Sequence, residues 1–174
     1  FIMEPVLGAG GVIPPHESFM PGVRDICTRN GILLIADEVI PAFGRTGSWS
    51  GSRHWGVKPD FMCTAKAITN GYFPFGALMI SERLVEVFEK DESGKAAIGH
   101  GYTYSGHPVG AAAALACLAE TKRLDVPTNA AARGAQVHEG LAALQERYGL
   151  IGDVRGGHGL MNALELVSDR ATKA

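Results

Sequence analysis

Sixteen basic against eighteen acidic side chains leave this 174-residue chain with a formal net charge of −2. It lacks the basic surplus that binding to a phosphate backbone demands, which argues against nucleic acid as its main partner. It also lacks any apolar run near the roughly 18 residues that a membrane span requires. No charged segment followed by an apolar stretch opens the chain, so nothing favours secretion. Cysteine is scarce, with Cys27, Cys63 and Cys117 widely spaced and no CxxC pair. That pattern disfavours a disulfide scaffold and a zinc site, and fits reduced thiols in a cytoplasmic protein. Metal spacing is missing from the histidines as well. His100 and His107 share a glycine-rich loop without an HExxH arrangement, and His16, His54, His138 and His158 have no visible partners.

What is present is apolar and rich in glycine. Hydrophobic residues make up 46% of the chain, and the length suits about one domain with a real core. Glycine occurs 23 times, well above the ordinary share of about 7%, so many turns or close backbone approaches are expected. The chain opens at Phe1 inside FIMEPV and stops at ELVSDRATKA, soon after a strand-like run. It therefore reads as a piece of a longer protein.

The first half alternates strand and helix. FIMEPV reads as a short strand running into GAGG. Phe19, Val23 and Ile26 form the apolar stripe of a helix that Gly31 ends. In GILLIADEV five apolar residues precede two acids, which suits a strand covered on both faces of a parallel sheet. DFMCTA and GALMI are further strands, and Ser81 can cap a helix carrying Leu84, Val87 and Phe88. The second half is helical. HPVGAAAALACLAETKR has Pro108 in its first turn and is apolar nearly all round, so burial is expected. Val137, Leu141, Leu144 and Tyr148 stripe a surface helix, and GLMNALELV reads as a strand. A boundary falls near Lys122–Pro127. The class is α/β with a mostly parallel sheet.

Ligands of open α/β sheets bind beyond the carboxyl ends of strands, where Asp37 and Glu38 stand. A carboxylate there is costly to bury unless a donor or cation meets it. It can anchor a loop, bind a metal as in a P-loop ATPase, or balance a protonated ring nitrogen. The ATPase reading needs GxxxxGK(S/T), but Gly94-Lys95 is followed by Ala96, and Glu89 stands where the first glycine belongs. Lys66, between Ala65 and Ala67 just past a strand, is the second unusual residue. Small apolar surroundings strip a lysine of hydration and make it nucleophilic. An acid for a pyridine nitrogen and an amine for an aldehyde are together what pyridoxal phosphate requires. Thr103 in GHGYTYSGHP offers a hydroxyl ahead of a helix start, where free N–H groups favour phosphate. FGRTGSWSG, with Arg45, reads as a substrate or interface loop or as an ordinary glycine turn.

The blocks EPVLGAGGVIPP, LLIADEVIPAFGRTG, PDFMCTAKAITNGYFPFGA and GYTYSGHPVGAAAAL, in this order and spacing, resemble the signature of the class III pyridoxal-phosphate-dependent aminotransferases. The resemblance covers essentially the whole chain. It implies the aspartate-aminotransferase-like fold (fold type I). Residues 1–124 would be the second half of the cofactor-binding large domain, and residues 125–174 the beginning of an α+β C-terminal small domain. It also implies a homodimer with a shared active site.

The roles transfer residue by residue. Lys66 would form the Schiff base, Asp37 would pair with the pyridine nitrogen, and Val39 would pack on one face of the ring. Thr103 would bind the cofactor phosphate in the partner's site, with Tyr102 lining that pocket. Glu4 matches an acid near the site. A small-residue phosphate loop and an aromatic ring cover are expected upstream of Phe1, and a carboxylate-binding arginine downstream of Ala174, so the isolated piece is expected to be inactive. Pro41-Ala42 departs from the family pattern ahead of FGRTG. Ornithine- and GABA-type members carry a glutamate five residues after the EP glutamate. Ala9 stands there instead, which resembles the branch of ω-amino acid and amine–pyruvate transaminases. The expected activity is transfer of an amino group from an amine or ω-amino acid to a keto acid such as pyruvate. A decarboxylase or aminomutase on the same scaffold is the alternative, and an ATPase-type module a more distant one.

Overall fold

The computed structural model describes residues 1–99 and 101–173. Four strands, β1 (Ile2–Met3), β2 (Ile35–Asp37), β3 (Phe61–Thr64) and β4 (Ala77–Ile80), form one sheet in sequence order. The pairs β1–β2 and β2–β3 are parallel, and β4 is antiparallel to β3. The helix α1 (Phe19–Arg29) crosses from β1 to β2, and the one-turn helix α2 (Gly51–His54) lies between β2 and β3. After β4 come α3 (Glu82–Glu89), α4 (Pro108–Arg123) and α5 (Val126–Arg147), then a hairpin of β5 (Ile151–His158) and β6 (Met161–Leu166). The sheet is mixed and mostly parallel, in agreement with the α/β class.

Several local expectations hold for identifiable reasons. Gly31 adopts φ +65° just past α1. Its N–H bonds to the Thr28 carbonyl and that of Ile32 to the Cys27 carbonyl, the paired bonds that close a helix on a left-handed residue. Pro108 sits in the first turn of α4, where a missing N–H costs nothing, and Pro127, at the boundary, does the same in α5.

Other expectations are corrected. The buried residues of α1 are Met20 and Cys27, whereas Phe19 and Ile26 are about half exposed. The face against the core is turned by one residue, about 100°, from the stripe read in the sequence. The helix α4 is not buried all round. Gly110, Ala114 and Thr121 are, and Leu115 is 70% exposed. Its apolar character exceeds what this chain covers. Ser81 occupies the N-cap of α3, but its hydroxyl makes no cap bond. The run IGDVRGGH was not expected to be a strand. Its glycines at 156 and 157 have positive φ and sit at a register shift, which hides the two-residue period.

One core joins the sheet to the hairpin. Val6, Met20, Cys27, Leu34, Trp55 and Val57 pack with Met161 of β6. The FGRTG segment is the other junction, rather than an open loop. A Cβ on Gly47 would strike Ala131 of α5, and one on Gly159 would strike the Thr46–Gly47 backbone. The Leu160 N–H bonds to the Arg45 carbonyl at 2.9 Å, and Thr46 is 1% exposed.

At the amino ends of the strands, Asp60 is buried and accepts from the Leu34 N–H at 2.8 Å and from Arg24 at 2.9 Å. Arg83 completes the cluster through its guanidinium, with Nε at 3.0 Å. Burial alone would raise this carboxyl, but the Arg24, Leu34 and Arg83 donors outweigh it and hold it below its ordinary value. Stability from Asp60 is therefore present above the ordinary carboxyl range and is lost as pH falls through the lowered folded value. Asp60→Asn should destabilise the fold by about 1–3 kcal/mol at neutral pH. The loss should shrink in acid, read as converging urea-unfolding midpoints of the variant and the parent below about pH 4.

Candidate active site

Because β1, β2 and β3 run parallel, their carboxyl ends share one edge. Met3 is level with Ala36, and Asp37 with Cys63. Glu4 follows β1 directly, Asp37 ends β2, and Lys66 comes two residues after β3. Three residues singled out in the sequence thus converge by strand register alone.

Asp37 is half-buried, and its Oδ1 accepts the Val39 N–H at 3.1 Å. This turn fixes Val39, also half-buried, against the end of the strand. The acid's charge reaches the next strand. The Cys63 thiol is pushed up from its ordinary value by burial and then by Asp37. All three cysteines are free.

Lys66 opens a single 3-10 turn, Lys66–Ile68, with φ +47°. This left-handed backbone costs a non-glycine residue about 1–3 kcal/mol and persists only where neighbours over-determine it. Here Ile68 and Thr69 are buried, and the Thr69 hydroxyl donates to the Phe73 carbonyl at 2.6 Å. Asn70, with φ +50°, repeats the strain four residues on. Sequence reasoning missed this strain, since nothing in TAKAITNG other than Asn-Gly signals a positive φ. The lysine itself is exposed, with only half-buried Ala65 and Ala67 beside it. The expectation of a poorly hydrated amine is thus not met within this chain, because the described residues do not close over the sheet edge.

Glu38 is the largest surprise. Neighbours on a strand face opposite ways, so its side chain leaves the side that Asp37 occupies. It is fully buried and is the anchor of the following loop. Oε2 accepts the Gly51 N–H at 2.8 Å, and Oε1 accepts the Ser52 N–H at 2.6 Å and the Ser52 hydroxyl at 2.5 Å. Burial pushes this carboxyl above its ordinary value, and the Ser52 and Gly51 bonds pull part of the way back. A serine pair flanking a glycine thirteen residues on, in SGS, was the only sequence signal of this partnership.

Glu4 is half-buried, and its Oε2 accepts the Gly8 N–H at 2.8 Å. Tyr102 and Thr103 are exposed in a turn ahead of α4, closed by the Ser105 N–H on the Tyr102 carbonyl at 2.9 Å. His107 takes the N-cap of α4 through Nδ1, so Thr103 is not the cap. The start of α4 packs on the segment after Lys66. His107 lies 5.2 Å from the Phe73 ring, and Gly110 is pressed against Phe73 and Phe75.

Other candidates find different places. No group of three metal-ligating side chains exists among the described residues, and His100 lies outside them. His54 meets His158 at 3.1 Å, and His138 meets Asn162 at 3.0 Å. Gly94 and Lys95 lie in a loop after α3, not between a strand and a helix, and Glu38 is consumed by α2. The ATPase reading has no structural basis here. No helix among the described residues is long and apolar enough to cross a membrane.

Known proteins resemble this chain over essentially its whole length. The class-III aminotransferase family matches residues 1–174, and the chain belongs to that family. It is 44% identical to a diaminobutyrate–2-oxoglutarate transaminase of Halomonas elongata, over 99% of this chain and 37% of that protein. It is 41% identical to a putrescine–pyruvate aminotransferase of Pseudomonas aeruginosa, with the same coverage. Among solved structures, an amine transaminase from an uncultivated Pseudomonas species, in its pyridoxal-phosphate-bound form, superposes with a TM-score of 0.93 at 53% identity. The match covers 99% of this chain and 38% of that one. An (S)-enantioselective ω-transaminase from Thermomicrobium roseum gives 0.92 at 43% identity, again over 99% and 38%. The chain thus spans somewhat over a third of the length of these relatives, and its fold is part of the fold of pyridoxal-phosphate-dependent transaminases.

Glu38→Gln replaces one acceptor oxygen by an NH2 that must face the Gly51 or Ser52 N–H. It should lower stability by about 1–3 kcal/mol, measured by thermal unfolding. The raised carboxyl makes the native state hold its proton longer than the unfolded chain does. The parent's excess stability over Glu38→Gln should therefore decline as pH rises from about 4.5 through the higher folded value.

Proposed function

We propose that this chain supplies part of the active site of a transaminase that moves an amino group from an amine or ω-amino acid to a keto acid. The carrying observation is the placement of Asp37 and Lys66 at the neighbouring ends of two parallel strands, Asp37 level with Cys63, three residues before Lys66. A half-buried acid whose charge is felt at Cys63, beside an amine on a strained turn, is a donor set that fits pyridoxal phosphate.

When bound, pyridoxal phosphate supplies an aldehyde for amines and a protonated ring that takes up electrons. Lys66 Nζ would hold that aldehyde and, once displaced by substrate, remove and return the substrate proton as a general acid–base. Asp37 would keep the ring nitrogen charged, and Val39, held by its N–H to Asp37, would pack on the ring. Thr103, just ahead of α4, would hold the phosphate of the partner subunit in a homodimer, with Tyr102 lining the same pocket. Glu4 supports the edge through Gly8. We assign residues 1–124 to the large domain and 125–174 to the start of the small domain, divided at the turn between α4 and α5. The three free cysteines support a cytoplasmic setting.

Pyruvate is our preferred acceptor. Ala9 brings no charge to the turn after β1, and the putrescine–pyruvate relative supports the choice. The diaminobutyrate relative, which uses 2-oxoglutarate, makes the acceptor the point to measure. A decarboxylase or aminomutase would release carbon dioxide or an isomer from an amino acid and would form no alanine from an amine plus pyruvate.

In the cofactor-loaded enzyme, borohydride reduction followed by peptide mapping should label Lys66, and Lys66→Ala should lose both label and turnover. A label on Lys58 or Lys95 would sink the assignment. Asp37→Asn should keep the cofactor but cut turnover at least about a hundredfold, since general acid–base and electrostatic terms of this kind carry that much. Heterodimers of Lys66→Ala with Thr103→Ala subunits should regain about half the parental activity, because one site then carries both lesions and the other neither. No regain would place Thr103 in its own subunit's site.

A further inference from the structure

Behind β1 the chain makes a closed loop. Leu7 and Ile13 pair through both backbone bonds, at 3.1 and 2.9 Å, and the Gly11 and Val12 N–H groups both return to the Gly8 carbonyl. Gly11 has φ +117° and Val12 φ +51°. Left-handed backbone at a β-branched residue is strained and needs outside support. One side of that support is local. Glu4 holds the Gly8 N–H, and Gly8 is pressed on the Ile40 side chain, in the stretch that carries Asp37 and Val39. Val12 packs on the core.

The other side comes from 144 residues away. Arg155 of β5 donates from Nε to the Gly11 carbonyl at 3.0 Å. Its Nη1 is held by Asp153 at 3.0 Å and by Glu165 of β6 at 2.6 Å. These bonds hold the guanidinium above its already high ordinary value, so its charge is permanent. Two carboxylates on the hairpin thus hold Nη1 of a rigid fork, and Nε is spent on one carbonyl of a strained loop. A lysine cannot reproduce this, since its ammonium is a single point of charge.

We infer that Arg155 is a positioning residue for the substrate pocket, holding the Gly8–Val12 loop against the Asp37–Ile40 stretch from the C-terminal hairpin. This rests on the transaminase reading of that edge. The loop is small and uncharged, so its placement beside Ile40 is set by backbone position alone. Loosening it misplaces bound substrate without touching Lys66 or Asp37.

Arg155→Lys is the discriminating variant, because it retains a cation for Asp153 and Glu165 and should fold. In the cofactor-loaded enzyme, KM for both amine and keto acid should rise about tenfold while kcat stays within about twofold. The Gly11 and Val12 amides should exchange with deuterium at least about tenfold faster, while amides of β2 and β3 do not. Parental exchange at Gly11 and Val12 would overturn the clamp, and faster exchange with parental KM would overturn its role in the pocket. A parent enzyme without aminotransfer would defeat the transaminase reading, and amide exchange would still decide the clamp.

Discussion

The position of the site depends on a carboxylate that takes no part in its proposed chemistry. Glu38 sits one residue beyond β2, fully buried, and gathers the N–H groups that open α2. A charge in such a place is tolerated only when its lone pairs are met. Three donors meet it here, and its own N–H bonds to the Cys63 carbonyl of β3. The chain between Val39 and Ser50 is thereby held at both ends. Asp37, the preceding residue, is left at the sheet edge, where its carboxylate caps only the short turn to Val39.

Asp60 does the corresponding work at the opposite end of the strands. It ties α1 through Arg24, the start of β2 through the Leu34 N–H, and α3 through Arg83, while its backbone carbonyl receives the Ser81 N–H. The two acids have opposite environments. Glu38 is met by neutral donors and is pushed up by burial, whereas Asp60 is met by guanidinium groups and is held down. Ionisation thus strengthens one end of the sheet and burdens the other. The sheet is fastened at its amino ends, and its carboxyl ends carry Glu4, Asp37 and Lys66.

How much of this was legible in the sequence follows from the range of each interaction. Strands β1, β2, β3 and β4 were readable because short apolar runs between turn signals suffice to mark them. The strand-end placement of Asp37 and Lys66 followed from those runs, and the motif blocks supplied their chemistry. The partner of Glu38 was not readable, since a carboxylate thirteen residues from a Ser-Gly-Ser carries no period. The buried face of α1 was misjudged because Phe19 and Ile26 are more apolar than Cys27, yet Cys27 and Met20 face the core. Strand β5 was hidden by glycines that its register shifts require. FGRTG was read as a substrate or interface loop or an ordinary glycine turn, and its glycines lie where α5 and the hairpin approach the backbone closely.

The strain at Lys66 and the exposure of its side chain belong together. A left-handed lysine directly after a strand would be expelled from an ordinary turn by any cheaper sequence, so its surroundings must select it. The selection is visible on the carboxyl-terminal side, where Ile68 and Thr69 are buried, Thr69 grips the Phe73 carbonyl, and Phe73 and Phe75 support α4 through Gly110. The same packing that forces the backbone therefore also seats the helix that follows Thr103. Lys66 and the Thr103 turn flank one packed unit of Phe73, Phe75 and Gly110. An exposed amine on a rigid, strained base is preorganised for a ligand brought to it.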